Sequence, residues 1–155
     1  MKFKNYLPLL LLFGTFLFIA CEEEGINPRF VPQELKNDLN DRHPDASKIE
    51  WEREGDLWEV EFEENGLEVG ILYDLEFNWI RTEMEIAIDD LPGAVKEYIS
   101  ANYPGGVIEE AASFESSNEG NGFIAEVIFG KMEHETFYDL DGNFIREEVE
   151  ADDGD

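Results

Sequence analysis

Between positions 57 and 64 the chain alternates strictly: Trp58, Val60 and Phe62 point one way, Glu59, Glu61 and Glu63 the other. A period of two with one apolar set is the signature of a strand that buries one face. Ile49 and Trp51 behave likewise against Glu50, Glu52 and Glu54. Extending this pattern predicts strands at 48–54, 57–64, 67–74 and 78–86, split by "GD", "NG" and "LEF". A second set is expected at 107–116, 122–130, 132–139 and 143–150. Ahead of each set the period changes to that of a helix. Val31, Leu35 and Leu39 recur four apart, as do Leu91, Val95, Ile99 and Tyr103. Pro32 and Pro92 suit a first helical turn, where a missing N–H costs nothing. Asp89 and Asp90 face the positive end of the second helix. Pro44 and Pro104 end the helices after His43 and Tyr103.

The two sets are copies. "VPQELKNDLNDRHPDASKIEW" (31–51) is echoed by "LPGAVKEYISANYPGGVIEE" (91–110) at a constant offset of sixty. "EVEF" (59–62) returns as "EVIF" (126–129), and "YDLEFNWIRTEME" (73–85) as "YDLDGNFIREEVE" (138–150). The offset grows because the second copy carries a longer loop at "SSNEGNG". A tandem duplication is the expected organisation, with repeats at 31–88 and 89–150.

The first twenty residues stand apart. Lys2 and Lys4 precede an apolar run to Phe18 that is too short to span a membrane as a mature helix, the pattern of a bacterial export signal. "FIAC" (18–21) resembles the lipobox of bacterial lipoproteins, which makes Cys21 the expected lipidated first residue. It is the single cysteine, so no internal disulfide can form. The acidic run "EEEG" looks like the signal carrying some lipoproteins to the outer face of the outer membrane; a solvated linker is compatible with it. Residues 21–30 are expected as an acidic tether and 151–155 as an acidic tail.

Charge narrows the partners. The chain carries 11 basic and 38 acidic residues, a net of −27, and cleavage before Cys21 takes this to −29. Nucleic acid and anionic headgroups repel such a surface. Cationic partners and loosely held divalent ions remain.

This organisation resembles the PepSY-like family, related in fold to beta-lactamase inhibitor proteins. The resemblance rests on the "VP" and "LP" helix starts, the "HP" and "YP" helix ends and the twin "YDL…N[WF]IR" hairpins. It implies an α+β fold: two helix-plus-four-strand repeats forming a broad antiparallel sheet with helices packed on one face. It carries no catalytic residues, and inhibitory members make their contacts through the open sheet face and loops.

Candidate chemistry is sparse. Asp139, Asp141 and Asn143 alternate like calcium-loop ligands, with Glu150 at the twelfth place. Glycine, however, falls at position four rather than six, and the first copy has Phe77 there. A hairpin turn in which Gly142 supplies positive φ is the expectation, and no metal site is assigned. His43 is expected to cap or pack, and His134 to lie at a core edge or surface. No serine elbow, phosphate loop or cofactor motif is present. A carboxylate hydrolase would need one acid raised in pKa by apolar burial, whereas these glutamates alternate outward as on a solvated face.

What remains is that face. Strict alternation projects Trp79, Arg81, Glu83 and Glu85 outward, with Phe144, Arg146, Glu148 and Glu150 as repeat mates. Leu72 and Phe137 fall on the same set. These aromatics and arginines are the candidate binding face, the alternative being arginines that neutralise neighbouring glutamates. The expected protein is a non-catalytic envelope lipoprotein that binds a basic envelope or extracellular protein and meets the membrane through Cys21. Capture of calcium or of a glycan stacked on Trp79 is the second class, hydrolysis the third.

Overall fold

A computed structural model describes residues 25–151. The export signal, Cys21, the acidic residues 22–24 and positions 152–155 lie outside the described residues.

Each copy folds as a helix followed by a four-stranded meander. The first comprises α1 (Gln33–Arg42), β1 (Ser47–Glu54), β2 (Leu57–Glu64), β3 (Leu67–Asp74) and β4 (Trp79–Glu85). The second comprises α2 (Gly93–Asn102), β5 (Val107–Ser116), β6 (Gly120–Phe129), β7 (Met132–Asp139) and β8 (Phe144–Ala151). All eight strands form one sheet in sequence order, with every neighbour antiparallel. The copies join where β4 pairs with β5, from Arg81 opposite Ser116 to Glu85 opposite Ala112. The α+β expectation holds.

Both helices pack on the same side of the sheet. Leu35 and Leu39 of α1 are buried against Trp51, Val60, Phe62 and Ile71. Val95 and Ile99 of α2 are buried against Ala111, Ala125, Val127 and Tyr138. The fourfold spacing of aliphatic residues sets these contacts, because residues four apart stack on one helix face. Pro32 and Pro92 sit one place ahead of the helices as their N-terminal caps, and the amides of His43 and Tyr103 close the last turns on Leu39 and Ile99.

The first repeat starts earlier than position 31, inside the segment expected as a tether. The amide of Ile26 donates to the Trp51 carbonyl at 2.6 Å, and Ile26 packs on the first core. Its mate Ile86 donates to the carbonyl of Ala111 at 2.9 Å. Short 3-10 turns follow at Pro28–Phe30 and Ile88–Asp90, each held by a helix lysine. Lys36 reaches the Pro28 carbonyl and Lys96 that of Asp89. The apolar Ile26 supplies burial that the acidic residues before it cannot.

Candidate binding face

The twin hairpin turns use their aspartates as caps. The Asp139 carboxylate accepts from the amides of Asp141 (3.0 Å) and Asn143 (2.8 Å) and from the Asn143 side chain. Asp74 accepts from Glu76, Asn78 and the Asn78 side chain in the same way. These donors hold both carboxyl groups below the usual range, the Asn side chain contributing most. Gly142 sits at φ 81°, as a tight turn requires, and Phe77 adopts φ 66° at the matching position. The aspartates are turn caps whose acceptor capacity goes to the chain itself.

The histidines and the helix ends also serve packing. His43 lies 3.1 Å from Glu64 and tilts on Phe62, while its mate Tyr103 donates to Glu147 at 2.6 Å. His134 packs beside Tyr103 on the helix side, with its Nδ1 3.4 Å from Glu147.

On the candidate face the alternation breaks twice. Leu72 pairs with Arg81 but Tyr73 pairs with Trp79, so Ile80 is an extra residue in β4. Phe137 pairs with Arg146 and Tyr138 with Phe144, which makes Ile145 the extra residue in β8. A bulge of one residue moves everything beyond it to the other face. Trp79 therefore packs on the α1 core, with Arg42 of α1 over its ring and its indole N–H donated to Thr82. Phe144 stacks on Tyr98 of α2, ring centroids 4.8 Å apart. Both belong to the helix side, contrary to the expectation.

Leu72, Arg81, Phe137 and Arg146 do share the open side. Phe137 is fully buried at its centre, with the Arg146 guanidinium 3.5 Å from the ring centroid and that of Arg81 4.9 Å away. Arg81 lies on β4 and Phe137 on β7, three strand spacings apart, about 14 Å across a flat sheet, and four residues out of register besides. The sheet thus curls toward this side, making a concave face whose middle is closed by its own side chains. Both arginines are committed there: Arg81 pairs with Glu83, and Arg146 with Glu119 (2.8 Å) and Glu148. Phe114, Ile124 and Ala112 complete the apolar centre.

Around that centre the face is acidic to a degree the fold does not require. Across β1–β3, Glu50 stands opposite Glu61, Glu52 opposite Glu59, and Glu63 opposite Glu68. In the second copy Glu110, Glu126, Glu135 and Glu148 form an unbroken cross-strand row, and Glu133 faces Glu150. Like charges directly opposed destabilise a sheet. Several of these carboxylates are also withdrawn from water: Glu59, Glu83 and Glu135 are buried. Burial first, then Glu68, Glu52 and Glu50, push Glu61 up to about 7. Burial and then Glu68, Glu85 and Glu133 do the same to Glu110, also to about 7. Glu83 rises to about 7 by burial against the pull of Arg81, and Glu135 rises well above the ordinary range by burial and the nearby Glu83.

Sequence reasoning placed these glutamates on a solvated face. A signal against that stood in β5 and β6, where "AASF" and "GFIAEVIF" are apolar on both alternating sets. Strands apolar on both sides are buried on both sides.

Comparison with known proteins agrees with this architecture. A family model described as "Putative beta-lactamase-inhibitor-like, PepSY-like" matches residues 14–81 and 71–146. No curated protein matches the chain. Among solved structures, a BLIP-like protein from Bacteroides fragilis is 26% identical with a TM-score of 0.63, over 81% of this chain and 92% of that one. A DUF2874 family protein from Bacteroides uniformis shares the fold at 18% identity and TM-score 0.66, over 77% and 90%. A structure from Bacteroides eggerthii titled "putative periplasmic proteins" does so at 17% and 0.66, over 77% and 89%. With two matched segments that together span most of its length, the chain belongs to the beta-lactamase-inhibitor-like, PepSY-like family.

Proposed function

We propose that this protein is an exported, non-catalytic binding module whose concave acidic face docks a basic surface on an envelope or extracellular protein, as an inhibitor does. The observation that carries this reading is the set of glutamate pairs opposed across neighbouring strands. When ionised they repel one another across the sheet, and a positively charged partner relieves that repulsion. Burial of Glu83 and Glu135 argues against a merely solvated face. The "BLIP-like" description of the B. fragilis relative supports the inhibitor-like mode, and the periplasmic description of the B. eggerthii protein supports export. Cys21, as the lipidated residue, would hold the module at the membrane.

Hydrolysis is disfavoured despite the raised carboxyl groups. The recess where Glu83 and Glu135 meet has a volume of about 20 Å³. Substrate pockets run to hundreds of Å³, so a sugar ring does not fit between these acids. Glycan stacking on Trp79 loses support because that ring is taken up by Arg42 and the α1 core.

The test is photo-crosslinking in intact cells with the probe at position 85 on the open face or at position 97 on α2. Docking through the face gives a discrete protein adduct from position 85, weakened by salt, and none from 97. Adducts of equal yield from both positions would refute it.

A further inference from the structure

We infer that the recess bounded by β4, β5, β6 and β7 is a receptor for a single lysine ammonium presented by the protein partner. This deepens the docking proposal and rests on it. Glu83, Glu85, Glu110, Glu126 and Glu135 line the recess, over a floor that includes Ala112 and Ile124. Carboxylates set beside apolar side chains suit a charged head on a methylene stem.

Two buried acceptors point to a missing donor. Glu83 is 1% exposed and Glu135 6%, and the Oε2 atom of each has no hydrogen-bond partner within the chain. Leaving such an oxygen unmade is costly, and a cationic donor relieves both the desolvation and the repulsion between the acids. Internal compensation is partial: Arg81 pairs with Glu83 while its own Nη2 stays unpartnered, Arg81 and Arg146 offset only part of what burial and Glu83 impose on Glu135, and the charges surrounding Glu110 are Glu68, Glu85, Glu133 and Glu109.

Size and geometry select the cation. A volume of about 20 Å³ admits one water-sized group. An ammonium, with three donors on one atom, matches it; the planar guanidinium with five does not. A chelated metal needs several oxygens converging at 2.3–2.6 Å in the calcium case. Among the described residues no group of three or more acidic, histidine or cysteine side chains is placed to hold one.

Isothermal titration with end-blocked tetralysine tests the assignment, using its Nε-acetylated form and tetra-arginine as comparisons. The proteins are the native chain, E110Q/E135Q, and the charge-matched E34Q/E97Q on the exposed helix surfaces. Tetralysine should bind the native protein and lose affinity about tenfold or more in E110Q/E135Q, against less than about twofold in E34Q/E97Q. The acetylated peptide should not bind, and tetra-arginine should bind more weakly than tetralysine. If E110Q/E135Q fails to melt cooperatively, E85Q/E110Q takes its place, since Glu85 is exposed. Equal losses in recess and helix variants would overturn the receptor, as would equal affinity for tetra-arginine or no tetralysine binding. Equal losses would leave the docking face standing on its own crosslinking test.

Discussion

The two sides of this sheet are governed by different constraints. On the helix side each copy repeats the same devices: paired aliphatic residues on the helix, a tyrosine on β3 or β7, and an aromatic brought over by a bulge. These buried apolar contacts favour folding. On the open side the copies place glutamate against glutamate and bury some of them. A surface that opposes its own fold is a surface kept for something else. On that contrast rests the proposal that the concave face is the docking surface.

The largest expected effect lies on the helix side. Leu35 is fully buried, and Leu35→Ala should destabilise by about 2–5 kcal/mol in denaturant titration. A loss below about 1 kcal/mol would mean that α1 does not hold the first core.

On the open side the sign reverses with pH. Glu61, Glu83 and Glu110 have folded-state values raised from 4.5 to about 7, so the folded state binds more protons between those limits. Their contribution is fully favourable below about 4.5 and is lost as pH rises through about 7. The melting temperature should therefore be higher at pH 5 than at pH 8, by on the order of 5 °C. A lower value at pH 5 would show that these acids are solvated.

A single open-face change sharpens the point. Glu135→Gln removes a buried charge beside Glu83 and should stabilise by about 1 kcal/mol at pH 8, with the gain vanishing at pH 4. Destabilisation at pH 8 would show that Arg81 and Arg146 compensate the Glu135 charge more than burial and Glu83 oppose it. The smallest effect compares the twin turns. Phe77 occupies the left-handed conformation that Gly142 fills in the other copy. Phe77→Gly should stabilise by about 0.5–1 kcal/mol, whereas loss of stability would show that the ring contributes more than its backbone costs.

Much of this was legible in the sequence because it depends on period alone. Helix faces follow from residues four apart, and strand positions from alternation and turn signals, so both copies and their order emerge directly. Leu72, Arg81, Phe137 and Arg146 were placed on the correct side for that reason. Trp79 and Phe144 were not, since Ile80 and Ile145 carry no residue-type mark of a bulge. Burial of Glu83 and Glu135 comes from curling of the sheet, a property of the assembled strands. Ile26 was grouped with its acidic neighbours by composition, although its match to Ile86 at the repeat offset was already visible.

In the proposed mode of docking, the open-face carboxylates hold the partner. The most direct test is the crosslinked yield from position 85 in a variant carrying E50Q, E61Q, E110Q and E133Q, once cooperative melting has shown it folded. Docking through these carboxylates implies a loss of adduct of about tenfold or more relative to the native chain. An undiminished adduct would contradict it and return these glutamates to a passive role.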